Sequence, residues 1–196
     1  MKKRNPSLRG MIYAAMFGAV TAVGAFIIIP LPPVPITLQT LFTALSGALL
    51  GGALGALSQV IYVLLGLIGL PVFAGGKAGL GVLFGPTGGY LIGFIAGSFV
   101  TGKLIELRKR PGLVWIAISI AVGFLVLYTL GVLQLSLVAK FGWGKAVSVG
   151  VMPFLIGDVL KIAVATFVTM RLRDRIMLGI AGGRVQKTPR FQMEKP

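Results

Sequence analysis

Four long stretches of the chain carry no charged side chain: Gly10 to Gly76, Ala78 to Gly102, Pro111 to Ala139 and Ala146 to Gly157. Crossing a membrane as a helix takes about 20 predominantly apolar residues, so the first run, 67 residues long, has room for three spans. Its breaks are legible. Pro30-Leu-Pro-Pro-Val-Pro35 holds four prolines in six residues and cannot be helix interior, and Gly51-Gly52 marks a tighter turn. The pattern predicts span one at Met11–Ile29, span two at Ile36–Leu50 and span three at Ala53–Leu70. A glycine-rich loop from Pro71 to Gly85 leads to span four at Pro86–Leu104, and span five follows at Leu113–Val138. Span six ends at Met170 and starts either at Ala146 or at Pro153, a residue suited to a first helical turn. The expected fold is an all-α polytopic membrane protein with six transmembrane helices. Residues 1–176 would form one membrane domain and 177–196 a basic, flexible tail.

Composition agrees with a bilayer as solvent. Of the 196 residues 56% are hydrophobic and 12% charged, and the mean hydropathy is +0.96. That charged fraction is about half the soluble-domain norm, too little to cover a water-facing surface. Cys and His are absent, which removes disulfides, thiolate or imidazole metal sites, and Cys- or His-based catalysis. The acids are Glu106, Asp158, Asp174 and Glu194, leaving paired-carboxylate chemistry almost nothing to work with. Neither an enzyme nor a bound cofactor or metal is expected.

The net charge of +15 would suggest nucleic acid in a soluble protein. Placement argues otherwise. With six spans, the N-terminal, four-to-five and C-terminal segments share one side and hold fifteen of the 19 Lys and Arg residues. Lys77, Lys140 and Lys145 lie on the other side, and Lys161 lies inside a span. The positive-inside rule then places both termini in the cytoplasm of a cell-membrane protein, with the basic rim facing anionic lipid headgroups and no role for nucleic acid.

Glycine is used 29 times, about twice the average. Gly47, Gly51 and Gly55 share a helix face, as do Gly89, Gly93 and Gly97. Such small faces let backbones approach closely where lipid gives no hydrophobic drive, and here they predict internal packing. In span one Ala14, Gly18 and Ala22 form one stripe, with Ala15 and Ala19 beside it, a flat face equally able to receive a partner helix.

Asp158 and Lys161 are the charges that a membrane helix should not contain. Each costs about 2.5–3.5 kcal/mol at mid-membrane on insertion scales. Their i,i+3 spacing puts both on one face. Leucine at both positions would serve stability better, so the pair is a candidate site for a small zwitterionic or amide-like ligand. Thr37, Gln39, Phe73, Lys77 and Tyr90 fall near the same outer side, which suggests an outward-facing pocket. No P-loop spacing occurs, and no chain of intramembrane carboxylates, so no energy source for pumping is visible in this chain.

Pro32-Pro-Val-Pro-Ile-Thr-Leu-Gln39, Gly69-Leu-Pro-Val-Phe73-Ala-Gly-Gly, Gly85-Pro-Thr-Gly-Gly-Tyr90 and Gly157-Asp-Val-Leu-Lys161 together resemble the BioY family over about residues 10–175. These are the biotin-specific S-components of energy-coupling-factor (ECF) vitamin transporters. The resemblance implies a six-helix protein that binds biotin from outside and docks on a transmembrane coupling subunit carrying two ABC ATPases. ATP would be hydrolysed by those partners alone, and toppling of the S-component would deliver the vitamin inward. Asp158 and Lys161 match the family's polar biotin contacts, and Tyr90 sits in its span-four motif. The valerate carboxylate would pair with Lys161 or with Lys77. The Ala15-xxx-Ala19 stripe resembles the motif that meets the coupling subunit. One departure is that Lys77 occupies a loop where some members carry an amide side chain; Asn5 is this chain's one asparagine. Other readings of the residues are an S-component for another small vitamin, or a solitary channel or secondary transporter.

Overall fold

The structure is a computed structural model and describes residues 7–181. These residues form α1 (Leu8–Phe26), α2 (Gln39–Leu50), α3 (Gly52–Leu67), the single turn α4 (Leu80–Leu83), α5 (Gly88–Glu106), α6 (Leu113–Ala139), α7 (Trp143–Gly150) and α8 (Leu155–Ala181). Helices α1, α5 and α6 and the run Trp143–Ala181 are long and apolar enough to cross a membrane, whereas α2 and α3 are shorter apolar helices. The chain is thus an all-α multi-pass membrane protein.

Differences from expectation have local causes. Span one was expected to reach Ile29 and span two to begin at Ile36. Instead α1 stops at Phe26, and Ile28–Ile29 pairs antiparallel with Ile36–Thr37 as the strands β1 and β2. The prolines between them supply no N–H to extend a helix or a ladder. Helix α2 is consequently 12 residues long, about 18 Å, short of the ~30 Å hydrocarbon core. Of the two expected starts of span six, Ala146 lies inside a separate helix and Pro153 lies in the first turn of the run that becomes α8. A separate α7 is followed by a 3-10 turn at Met152–Phe154 with Pro153 in it, and α8 begins at Leu155. Its end also lies beyond Met170, at Ala181, so the proposed domain boundary at 176/177 falls inside a helix. The remainder of the expected tail, 182–196, lies outside the described residues.

Hydrogen bonds fix one end of the bundle. The Ser7 hydroxyl accepts from the Gly10 N–H as an N-cap and lies 3.1 Å from the Ile180 carbonyl, to which it donates. Gly52 N–H, at the start of α3, donates to Glu106 Oε1 at the end of α5 (2.8 Å), and Arg173 Nε donates to the Ala48 carbonyl at 3.2 Å. The start of α1, the α2–α3 turn, the end of α5 and the end of α8 therefore meet at one end, which carries most of the cations. The proline hairpin, the loop before α5 and α7 lie at the other.

The glycine faces are internal, as their spacing predicts. A Cβ on Gly47 would come within 2.3 Å of the Ser98 carbonyl oxygen. On Gly89, Gly93 and Gly97 it would meet the Leu130, Leu127 and Gly123 carbonyls at 2.3, 2.7 and 2.7 Å, so α5 and α6 pack backbone to backbone. Gly51 adopts φ +83°, which lets α2 turn directly into α3. At the centre, buried Gln59 accepts from Thr43, and its two amide N–H groups are shared among the Thr21, Ser46 and Ser58 hydroxyls, joining α1, α2 and α3.

The face of α1 divides. Ala14 and Ala22 are buried, and a Cβ on Gly18 would lie 2.9 Å from the Ser58 carbonyl oxygen, so the Ala14/Gly18/Ala22 stripe packs on α3 and is not open to a partner. Ala15 and Ala19 are exposed.

Candidate functional site

At the end opposite the basic cluster, a cavity opens between α2, α5, α6 and α8. Two short hairpins roof it. One is the proline hairpin, whose Val34 and Pro35 line the opening. The other runs from Phe73 to Lys77, closed by Phe73 N–H donating to the Lys77 carbonyl at 3.0 Å. Successive glycines, Gly75 (φ +74°) and Gly76 (φ +72°), make that reversal possible. The Phe73 ring is driven into the core against Gly66 and meets Tyr62 edge-on, with centroids 5.7 Å apart. The cavity has a volume of about 60 Å³.

Six of the seven ligand residues expected from the sequence line this cavity: Thr37, Gln39, Phe73, Lys77, Tyr90 and Lys161. Phe73 and Lys77 share the second hairpin, and each of the other four is placed by a different element. Thr37 ends β2 and donates to Gln39 Oε1 at 2.9 Å, while Gln39 opens α2 and donates to the Tyr62 hydroxyl. Tyr62 in turn donates to the Val72 carbonyl at 3.1 Å, which ties the floor to the loop that roofs it. Tyr90 presents its ring rather than its phenol, because its hydroxyl donates to the Gly150 carbonyl (2.9 Å) and anchors α7.

Lys161 is the focus of the polar wall. Its Nζ donates to Thr40 Oγ1 at 2.8 Å and to Asp158 Oδ1 at 3.4 Å, and the residue is 6% exposed. An ammonium has three N–H donors, so one is left for a ligand. Asp158, 4% exposed, is not in the cavity wall. It stands one side chain behind, accepting from both Lys161 and the Tyr128 hydroxyl, and so fixes two residues that are in the wall.

Tyr128, Thr40, Phe94 and Phe154 also line the cavity and went unnoticed in the sequence. Tyr128 had a signal, a phenol near the middle of a span without charged residues. Tyr128 lies T-shaped to Tyr90 with centroids 6.2 Å apart, and Phe154 tilts onto it at 5.9 Å. The result is a narrow aromatic slot with a cation at its base, fit for a flat apolar ring that carries a hydrogen-bond acceptor. Among the described residues, no group of three His, Cys, Asp or Glu side chains is placed to hold a metal ion.

The model of the BioY family matches residues 1–177. The chain belongs to the BioY family. Among its relatives, the biotin transporter BioY of Thermotoga maritima is 47% identical over 166 residues, covering 85% of this chain and 96% of that protein. The probable biotin transporter BioY of Pyrococcus horikoshii is 41% identical, covering 88% of this chain and 98% of its own. A crystal structure of the S-component for biotin from an ECF-type ABC transporter is similar in fold, with a TM-score of 0.79 and 28% identity. It covers 89% of this chain and 95% of that one. BioY family membership thus rests on nearly full-length agreement with transporters from bacteria and archaea.

Proposed function

We propose that this chain captures biotin from outside the cell as the S-component of an ECF-type transporter. The observation that carries this reading is buried Lys161, held by Thr40 and Asp158 at the base of an aromatic slot with one donor to spare. Biotin's ureido ring is flat and ends in a carbonyl, which that donor suits. A carboxylate is a poor fit there, because it would crowd Asp158 around one ammonium. The valerate carboxylate therefore points to the mouth, where Lys77 lines the opening. Phe73, Tyr90, Phe94 and Tyr128 enclose the apolar part of the ligand, with Thr37 and Gln39 supplying polar edges.

The topology goes with it. Helices α1, α2, α3, α5, α6 and α8 form six passes, both termini are cytoplasmic, and the basic end is the inner one. The exposed Ala15/Ala19 stripe of α1 is the contact for a transmembrane coupling subunit, which carries the ATPase pair. Residues 7–181 make up the membrane domain, a single unit.

Calorimetric titration of biotin into the purified, detergent-solubilised chain tests the assignment. Wild type binds, Lys161→Met loses binding, and Lys77→Met weakens it for biotin while leaving the biotin amide unaffected. A folded wild type that ignores biotin refutes the ligand, and a Lys161→Met variant that binds as wild type refutes the site.

A further inference from the structure

The basic end holds a second polar cavity, unconnected with the first. It lies between the α5–α6 loop and the inner part of α8, with a volume of about 250 Å³. Lys109, Arg110 and Arg173 line it with Asp174 and Thr169. The neighbouring cations are occupied: Arg108 stacks over the Trp115 ring at 4.1 Å and Arg171 over Phe167 at 5.1 Å. Lys109 and Arg110, by contrast, have no ion-pair partner among the described residues, whose ion pairs are Lys103–Glu106 and Lys161–Asp158. Thr169, 1% exposed, has a hydroxyl with no hydrogen-bond partner there. A buried hydroxyl left unpaired is costly. Two unpaired cations beside it describe a site made for an anion.

We infer that this cavity binds the phosphodiester headgroup of an anionic membrane lipid. Its position supports a lipid source. Thr169 lies eleven residues beyond Asp158 on α8, about 16 Å along the helix, and the exposed Met170 and half-buried Pro111 in the same wall offer apolar contact for chains. Arg173 is already fixed by the Ala48 carbonyl, which orients its guanidinium at little further entropic cost. Asp174 opposes a bare phosphate, yet a carboxylate accepts hydrogen bonds from a hydroxyl-bearing head such as glycerol. The inference takes the basic end as the inner one, as in the proposed topology.

Phosphatidylglycerol, phosphatidylcholine and inorganic phosphate, each added to the delipidated full chain, are compared by native mass spectrometry. Phosphatidylglycerol is expected to bind well above phosphatidylcholine, and millimolar phosphate fails to displace it. Lys109→Ala/Arg110→Ala weakens it about thirtyfold, whereas Lys140→Ala/Lys145→Ala, which removes the same charge at the opposite end, leaves it unchanged. Thr169→Val weakens it severalfold at constant charge. Equal binding by both charge-deleted variants overturns the site, and displacement by phosphate overturns the lipid as its source. Biotin titration of the same preparations reads the outer cavity independently, so failure of one proposal does not imitate failure of the other.

Discussion

Replacing Lys161 by methionine removes the cation from a pair whose side chains are only 7% and 6% exposed. Asp158 then keeps the Tyr128 hydroxyl and no countercharge. Replacing Asp158 by asparagine leaves the ammonium with Thr40 as its remaining partner. Breaking a buried pair from either side costs about 3–5 kcal/mol, because the surviving charge stays desolvated. At roughly 2–4 °C per kcal/mol for a chain of this size, each single variant melts about 6–20 °C below wild type. The double variant Asp158→Asn/Lys161→Met removes both charges, and asparagine still accepts from Tyr128, so the loss falls to about 1 kcal/mol. Thermal unfolding in detergent, followed by circular dichroism, measures all four corners of the cycle. Biotin titration should separate from stability: the double variant recovers its melting temperature without recovering binding, since the third Lys161 donor is gone. A double variant as unstable as the two singles summed would mean that the charges do not compensate each other, and the reasoning fails.

Gly47→Val forces a side chain onto the Ser98 carbonyl and is expected to abolish folded protein on size exclusion, whereas Gly144→Ala, with open space around it, changes nothing. Glu106→Ala strips the Gly52 N–H of its acceptor and lowers stability by about 1 kcal/mol, read by thermal unfolding. Glu106→Gln keeps the acceptor and stays within about 0.5 kcal/mol of wild type, since the Lys103 pair is largely exposed. Ala15→Leu/Ala19→Leu leaves biotin binding intact and prevents co-purification with the coupling subunit, while Ala14→Leu, aimed into the core, impairs folding first.

The uncharged runs made the helices legible because burial in lipid demands apolar side chains over a set length. The same criterion is blind where lipid ends. Helix α8 continues past Met170 through Arg171, Arg173 and Arg175 to Ala181, into the start of the segment expected to be tail. The pairing of Ile28–Ile29 with Ile36–Thr37 was equally hidden, because two-residue strands have no periodicity to detect. Of the cavity, the residues with unusual chemistry for a membrane were found. Thr40 was not, because what marks it is a partner 121 residues away, and the phenol of Tyr128, though visible, gives no hint of the Asp158 carboxylate 30 residues on. The two stripes of α1 look alike in sequence, and only the position of α3 decides that Ala14 and Gly18 face inward while Ala15 and Ala19 face out.

The gathering of cations at one end also bears on how the molecule can move. With the basic end facing the cytoplasm, as in the proposed topology, a membrane that is negative inside holds each positive charge there with about 2.3 kcal/mol per 100 mV, before any cost of stripping its water. Arg173, through the Ala48 carbonyl, ties part of that charge to the ends of α2 and α8. The voltage therefore acts on the whole bundle as a tether on one pole. Any reorientation that carries the outer cavity toward the cytoplasm must swing about that pole, with the lightly charged end travelling and the heavily charged end staying in place. Cells with a collapsed membrane potential would then hold the same protein, with the same affinity for its ligand, on a looser pivot.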